Sequence, residues 1–579
     1  MKKIYILLSA FVLSFGLVSC SDILNGDPFT SFTKSNYFTS ETNVELYANY
    51  FYSEWSGYGN AGGYGVFYFP TLNDNQTPTG YTQWSYTSVS ATNSTWNACY
   101  TEIRRANILL EALPGIDAMS AASKSNWEGI ARLYRAWQHY CLVRAFGDCY
   151  WVDHVLDVSD EDILFGARQD RDVVMDKVLE DLNFAVNNIT ANPTSRTAFN
   201  ASVAQAIKSE ICLYEGTFCK YRSAADGQKA ADESRATRYL NECKTASSAL
   251  MNNGNYALSP DYRAVYNSFD LASSPATEEM IMYKKYVYGI LAHSTIDYTC
   301  GSTQTNGMTK SAFDAYLFRD GECLANTTLD KNDHGVLVEL DENPYADSRD
   351  WNIDISAVLA VRDPRLAESI DGALFYPGVG YKRYGLGAEA TSSTGYGVMK
   401  FDNPEFVDAM RRNSIGGAET DAPIFWLGNV ILNYAEACAE TGDNANAVAA
   451  VNKLRDRVGM PHLTATPAHD PANNMGVSDL IWEVRRERRV ELMFDNNDRY
   501  WSMIRWHQLD KLDQTKYPDQ CRGAWVGGFP HDGMDIDADG YIVTLNGTTG
   551  RVYDPKQYLN PIPSGQIDLN PAIGQNPGW

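Results

Sequence analysis

Basic residues are scarce in this chain. Its 579 residues include 48 Lys and Arg against 72 Asp and Glu, which gives a formal net charge of −24. Proteins that bind nucleic acid or an anionic lipid surface do so through clustered Lys and Arg. The composition therefore argues against either of these as the main ligand.

Long apolar runs are also rare. Residues 4–17 are apolar and uncharged, but this run is shorter than the roughly 20 residues that a membrane-spanning helix needs. Because it follows Lys2 and Lys3, it is typical of a secretory signal peptide. No later stretch reaches about 18 uncharged apolar residues, so no membrane-spanning helix is predicted.

The signal-like segment ends in Leu17-Val18-Ser19-Cys20 and not in an A-x-A pattern. This ending resembles the lipobox of bacterial lipoproteins, in which residues 1–19 are removed and Cys20 is acylated on its sulfur and amine. Two or three acyl chains would anchor the protein firmly to a membrane, since each buried CH₂ contributes about 0.8 kcal/mol. The alternative is an ordinary signal peptide followed by an incidental or buried cysteine.

Several catalytic motifs are missing. The chain has no HExxH, GxSxG or P-loop sequence, no CxxC, and no two histidines four residues apart. Carboxylates are plentiful, so a glycosidase pair stays open, because such a pair is defined by its separation in space. The ten cysteines besides Cys20 permit disulfides in an oxidising compartment, but their spacing fits free buried thiols equally well.

Helical periodicity dominates both ends of the chain. Apolar spacing and stop signals predict helices over residues 41–55, 96–113, 124–146, 170–189, 201–222, 233–253, 423–443, 444–461 and 477–494. Ser123 is the expected cap of the helix at 124–146. The charged run at 483–492 predicts a salt-bridged, partly buried helix in preference to a catalytic or phosphate-binding one.

The helices at 423–461 are rich in alanine and can pack closely as an antiparallel hairpin, the unit of tetratricopeptide repeats. One such unit cannot bury its apolar face, so the other helices are expected to stack with it. We therefore predict a mainly α fold with a tetratricopeptide-like scaffold and a few short strands. Residues 41–579 form one domain in this interpretation: the scaffold at 41–260 and 421–510, a loop-rich region at 261–420 and a turn-rich segment at 511–579. Residues 20–40 are the lipidated N-terminal segment.

Two loops carry the best candidates for ligand binding. Residues 56–95 are rich in Gly, Asn and Tyr, and within them Trp84 and Tyr81 are the preferred stacking residues. Tyr288 and Tyr298 lie in a second aromatic loop at 284–300. Flat sugar faces stack on such rings, while the polar tips and neighbouring amides reach the hydroxyls. The alternative is that these rings only pack the loops onto the helices.

A weaker candidate is a calcium loop. Asp535, Asp537, Asp539 and Gly540 match the start of such a loop, but Asn546 stands where a bidentate Glu is required. Asp539-Gly540 before a β-prone run also fits a tight hairpin turn, which is the favoured interpretation.

Collinear motifs over nearly the whole chain resemble the SusD/RagB-like nutrient-binding lipoproteins of Bacteroidetes. They include WNACYTEIRRANILLEAL (96–113), LYRAWQHYCLVRAFGD (133–148), VNKLRDRVGMP (451–461) and LNPIPSGQIDLNPAIGQNPGW (559–579). The chain departs from the family pattern at residues 425–437 and 495–499, away from the aromatic loops.

The resemblance implies a helical fold with a loop-rich face and a lipid-anchored location on the outer membrane, facing the cell exterior. It also implies an oligosaccharide ligand, a SusC-like TonB-dependent transporter as partner, and no catalysis and no cofactor. RagB-like members handle peptides, so a peptide ligand is the first alternative, and a glycoside hydrolase is the second.

Overall fold

The computed structural model describes residues 37–78, 84–192, 194–300, 306–329, 353–374, 392–405, 414–527, 535–544 and 551–579. Cys20 and Tyr81 lie outside these ranges, so their predicted roles stay predictions. None of the described helices is long and apolar enough to cross a bilayer.

The fold is mainly α. The helices of eight or more residues in the described ranges are α1 (Glu41–Ala48), α2 (Ser94–Ala112), α3 (Ala121–Phe146), α4 (Arg171–Asn188), α5 (Ala201–Tyr221), α6 (Glu233–Met251), α7 (Leu427–Glu440), α8 (Asn444–Val458), α9 (Asp479–Glu491) and α10 (Asp498–Arg505). Shorter helices are Glu161–Leu164, Ala264–Asn267, Thr295–Cys300, Lys310–Ala315, Ser356–Ala360, Pro364–Ser369 and Ser564–Leu569.

The helices pack in sequence order as antiparallel neighbours. From α2 to α8, each helix packs against the next, and α9 adds to α7. Small residues permit the close approach: a Cβ at Gly216 in α5 would lie 2.7 Å from the Leu240 side chain of α6. This stack of helix pairs is the tetratricopeptide-like scaffold that the sequence predicts.

Most predicted helix boundaries agree with the structure within a few residues, with two exceptions. The cap of α3 is Ser120, whose Oγ accepts from the Ser123 N–H at 3.1 Å, so the helix begins one turn earlier than predicted. Residues Ala422–Trp426 form a strand before α7 begins, because they pair with Met280–Lys284 and all five are buried. The aromatic residues at 425–426 favour this extended conformation.

The strands are short and antiparallel. They are β1 (Gly59–Asn60), β2 (Gly63–Tyr64), β3 (Gln76–Pro78), β4 (Met280–Lys284), β5 (Asn306–Met308), β6 (Ile353–Asp354), β7 (Ile370–Leu374), β8 (Tyr396–Val398), β9 (Ala422–Trp426), β10 (Arg522–Trp525) and β11 (Tyr541–Val543). They pair as β1–β2, β3–β5, β4–β9, β6–β7–β8 and β10–β11. Most of them belong to the loops that cover the scaffold.

The charged helix α9 is a buried ion-pair element, which confirms the salt-bridge prediction. Glu487 meets Arg365 at 2.7 Å and Arg455 at 2.9 Å, and Arg488 meets Glu436 of α7 at 2.9 Å. These pairs tie α7, α8 and α9 to the segment at 362–366. Eight cysteines of the described ranges are buried free thiols, so these eight do not form the disulfides that the sequence left open.

Candidate functional site

Three rings from the two predicted loops meet at the surface. Phe69 stacks on Tyr64 with 4.4 Å between ring centroids, and Tyr298 lies edge-on to both rings at 5.2 and 5.3 Å. The Tyr64 and Tyr298 hydroxyls are hydrogen-bonded at 2.7 Å. Tyr64 is 62% exposed. We call Tyr64, Phe69 and Tyr298 the aromatic platform.

A glycine-rich hairpin positions Tyr64. Strands β1 and β2 pair with Gly59 opposite Tyr64, and the Asn60 side chain accepts from the Gly62 N–H in the turn. Gly59 has a φ of +87°, and a Cβ there would lie 2.2 Å from the Gly63 carbonyl oxygen. Only glycine satisfies both conditions, so the Gly pattern of residues 57–65 is what makes this hairpin possible.

Phe69 is held by its neighbour Tyr68, whose φ of 66° is unusual for a residue with a side chain. The Tyr68 N–H donates to the Phe494 carbonyl, and its own carbonyl accepts from the Gln76 side-chain amide. Backbone strain of this kind persists only where surrounding contacts enforce it. Here those contacts bury Tyr68 and leave Phe69 beside Tyr64.

His293 positions the third ring. Its Nε2 lies 3.0 Å from the Thr420 carbonyl oxygen, and the Thr295 N–H donates to its Nδ1 at 3.2 Å. Thr295 begins the short helix that carries Tyr298. The imidazole is therefore neutral, and burial lowers the pKa of His293 to about 3. No sequence pattern marks this role, since His293 is an isolated histidine.

This geometry predicts a pH-dependent effect of His293→Gln. The folded pKa lies below the ordinary value of about 6.5, so the unfolded chain binds the extra proton and wild-type stability falls as the pH drops below that value. Between about pH 7.5 and about pH 5, the stability difference between wild type and variant should shrink by about 2 kcal/mol. Urea unfolding at both values measures it, and a difference independent of pH would contradict the assignment.

The platform also carries polar groups. The hydrogen bond with Tyr64, together with burial, raises the pKa of Tyr298 to about 12, so this phenol stays protonated at neutral pH. It can then donate or accept a hydrogen bond at the edge of the rings. Burial raises the pKa of the neighbouring Asp297 carboxyl. This mixture of ring faces and hydroxyls suits a neutral, hydroxyl-rich ligand.

Tyr288 lies on the turn that precedes this helix and is 52% exposed. The Val287 N–H and the Leu291 carbonyl close the turn around Gly289, and the Tyr288 N–H donates to Glu419. Ile290 at the tip and Ile415 in the adjacent segment are also strongly exposed. The second aromatic loop therefore offers Tyr298 to the platform and presents Tyr288 on the surrounding surface.

Trp84, the preferred stacking residue from sequence, is only 8% exposed. Its indole N–H donates to the Val552 carbonyl at 2.8 Å and joins the loop to the C-terminal segment. In this arrangement the ring offers little area to a ligand. Tyr64 and Phe69, from the same aromatic stretch, lie with Tyr298 instead.

Two acidic clusters of the described residues have carboxylates close enough to be considered as cation sites, and the first is the predicted calcium loop. Arg522 lies 2.7 Å from carboxylate oxygens of both Asp537 and Asp539, and Asp537 also accepts two backbone N–H groups. Asp535 precedes the bridge of Ile536 with Ile542. These contacts fit the hairpin interpretation of Asp535, Asp537 and Asp539 better than the calcium interpretation, since donors already occupy the oxygens.

A second group joins Asp172, Glu215 and Cys219, whose ligand atoms lie within 4.8 Å of one another. Arg171 meets Glu215 at 2.6 Å and Arg222 meets Asp172 at 2.7 Å. Burial and Glu215 raise the pKa of the Cys219 thiol, which disfavours the thiolate that a metal needs. Guanidinium groups therefore neutralise this cluster.

Comparison with solved structures finds several proteins that share the fold of this chain. A SusD-like protein from Bacteroides fragilis is 20% identical, with 96% of this chain and 100% of that chain covered and a TM-score of 0.64. A SusD-like carbohydrate binding protein from the same organism is 19% identical, with 93% and 100% covered and a TM-score of 0.65. A SusD superfamily protein from Parabacteroides distasonis is 16% identical, with 95% and 100% covered and a TM-score of 0.58. These likenesses establish the shared fold.

Sequence models of protein families identify the chain more directly, whereas no curated protein sequence matches it significantly. A model described as "Starch-binding associating with outer membrane" matches residues 46–213. A model described as "SusD family" matches residues 278–579. Because this second match alone covers more than half of the chain, the protein belongs to the SusD family.

Proposed function

We propose that this protein is a cell-surface lipoprotein that captures oligosaccharides and passes them to a SusC-like TonB-dependent transporter of the outer membrane. The observation that carries the proposal is the aromatic platform, where two separate loops bring Tyr64, Phe69 and Tyr298 together at the surface. Ring faces edged by hydroxyls match the apolar faces and hydroxyl groups of sugars. The protein binds its ligand and leaves its bonds intact.

The anchor and location follow from the proposed lipidation of Cys20. A lipid tether keeps the protein beside the transporter while the chain swings as a lid over the barrel. Membership of the SusD family supports this arrangement, as does the description of the model that matches residues 46–213, which names association with the outer membrane. Isolation of the intact protein from outer membranes should recover a large barrel protein with it, and recovery without one would count against the lid.

A ligand screen tests the binding function. Wild-type protein is applied to a glycan array and to a pool of peptides, and one oligosaccharide class is expected to bind with micromolar to millimolar affinity, equivalent to about 4 to 8 kcal/mol. Binding of peptides alone would favour the RagB-like alternative. The bound glycan is then incubated with the protein, and newly released reducing ends would identify a hydrolase and overturn the proposal.

A further inference from the structure

The protein contains a cavity whose lining includes none of the three rings of the aromatic platform. It has a volume of about 470 Å³ and opens between α9, α10 and the short helix Lys310–Ala315. Its volume falls in the range of small-molecule sites, about 300 to 1,000 Å³. Its wall contains eight basic and four acidic side chains, although the protein as a whole carries a net charge of −24. We call it the basic cavity.

Among the described residues, the inner wall of the basic cavity has fewer carboxylates than cationic groups. Asp74 alone serves two guanidinium groups, Arg499 at 2.6 Å and Arg489 at 3.3 Å. Asp314 likewise serves both Lys310 and, behind the wall, Arg362. Arg489 and Arg499 therefore share one carboxylate among the described residues. On the outer rim, by contrast, Arg522 has several acidic partners.

Arg489 is buried beside two other arginines, Arg499 and Arg486. Burial, and then repulsion from Arg499 and Arg486, lowers the pKa of Arg489 to about 10. Burial and Arg362 also lower the pKa of Lys310. An additional anion in the basic cavity would stabilise the charged forms of Arg489 and Lys310, because an opposite charge nearby favours the charged form.

Three guanidinium groups of the same wall have a nitrogen without a hydrogen-bond partner among the described residues. Arg489 uses Nε and Nη2 for hydrogen bonds to Asn75, Asp74 and Ser311, while its Nη1 has no partner among the described residues. The Nε groups of Arg485 and Arg486 are buried without hydrogen-bond partners, and both side chains are more than nine-tenths buried. Buried donors of this kind are costly to leave unsatisfied.

Aromatic rings complete the lining. Trp482 is half-buried, and its indole N–H donates to Asp470 at 3.2 Å. Tyr517 is half-buried too, and its hydroxyl accepts from Lys511 at 2.8 Å. Guanidinium groups bind carboxylates and sulfates through paired hydrogen bonds, and aromatic faces pack against sugar rings. The basic cavity offers both contacts within one space.

We propose that the basic cavity binds an acidic sugar. Its carboxylate or sulfate group meets Arg489 and the adjacent guanidinium groups, and its ring lies against Trp482. This is a second site with a ligand of defined charge, so it does not depend on what the aromatic platform binds.

Calorimetric titration at low salt tests the proposal with four probes: glucuronate, glucose 6-sulfate, glucose and inorganic sulfate. The two acidic sugars distinguish the carboxylate from the sulfate as the anionic group, and at least one of them should bind. Glucose should not bind detectably, and inorganic sulfate should bind at least about tenfold more weakly than the better acidic sugar, because it lacks the ring contact. Equal binding of glucose would overturn the charge requirement. Inorganic sulfate binding as tightly as the acidic sugar would overturn the sugar assignment.

Variants locate the site. Arg489→Gln should weaken the acidic sugar at least about tenfold, since charged hydrogen bonds are the strong ones. Lys516→Glu changes a rim side chain that is 60% exposed. This variant should weaken binding of the acidic sugar several-fold without affecting folding. Lys453→Glu, an exposed lysine of α8 outside the lining, is the matched control and should bind like wild type.

Two further measurements keep the outcome decisive if Arg489→Gln does not fold. Affinity should fall steeply as salt rises from about 0.01 M to about 1 M, because the screening length drops from about 30 Å to about 3 Å. The double variant Phe69→Ala/Tyr298→Ala should retain acidic-sugar binding, which separates this site from the aromatic platform. Unchanged affinity in Lys516→Glu together with no salt dependence would overturn the proposal.

Discussion

The double variant Phe69→Ala/Tyr298→Ala is expected to lower oligosaccharide affinity by about 30-fold to 140-fold, because each of the two lost ring contacts contributes about 1 to 1.5 kcal/mol. Phe69 stacks face to face on Tyr64, and Tyr298 lies edge-on to it. The ring centroids of Phe69 and Tyr298 are 5.2 Å apart. Without them, Tyr64 loses both its stacking partner and its hydroxyl partner. Calorimetric titration with the glycan found in the screen measures the loss.

Two control variants separate stacking from general effects. Phe165 is 61% exposed, close to the 62% of Tyr64, and lies outside the aromatic platform, so Phe165→Ala should bind like wild type. Tyr298→Phe keeps the ring and removes only the hydroxyl bond, so its affinity should fall by no more than about threefold. A larger loss in Tyr298→Phe than in Phe69→Ala would show that the hydroxyl pair, and not the rings, holds the ligand.

Glu436→Gln is expected to lower the free energy of unfolding by about 3 to 5 kcal/mol, the usual cost of removing one partner of a buried ion pair. The Glu436 carboxylate in α7 accepts from Arg488 at 2.9 Å, from Arg505 and from the Trp506 indole at 2.6 Å. Burial alone would raise the pKa of Glu436, but Arg505 and Arg488 lower it to about 2. The variant keeps the shape of the side chain and removes the negative charge that Arg488 and Arg505 face at this position.

Urea unfolding measures this effect, and the slope against urea should not change. Glu180→Gln is the matched control: Glu180 lies on α4, is largely exposed and pairs with Lys177, so its loss should cost no more than about 0.5 kcal/mol. Because the folded pKa of Glu436 is depressed, its contribution is complete above about pH 4.5 and is lost as the pH falls towards 2. Equal stability of Glu436→Gln and wild type at neutral pH would contradict the ion-pair account.

Much of the helical scaffold could be predicted from local patterns. Stop signals such as Gly147 and Gly459 end α3 and α8 where the sequence places them, since both have positive φ. The strand β9 could not be predicted in this way. Its residues are apolar throughout, and an apolar run of this length fits a buried helix as well as a buried strand. Pairing with β4, far away in sequence, decides between them.

The aromatic platform was predictable only in part. The platform combines residues of the two predicted loops and includes one predicted ring, Tyr298, whereas the preferred Trp84 is 8% exposed and hydrogen-bonded to the C-terminal segment. Which ring of an aromatic loop reaches the surface depends on backbone geometry, here the positive φ of Gly59 and Tyr68. The sequence marks the first of these as glycine and gives no local sign of the second.

The sequence interpretation of α9 was correct but incomplete. Its alternating Glu and Arg predicted ion pairs, and most of its arginines make them. Arg489 differs because it shares Asp74, a loop residue more than 400 positions earlier, with Arg499. Periodicity along one helix cannot reveal a shortage of charge that arises between distant segments.

The central claim is that the aromatic platform receives the glycan, and a crystal structure of the protein with the screened oligosaccharide tests it most directly. The account predicts a sugar ring against Phe69 and Tyr298, with a sugar hydroxyl within hydrogen-bond distance of the Tyr64 or Tyr298 oxygen. A bound oligosaccharide that leaves all three rings exposed to solvent would contradict it.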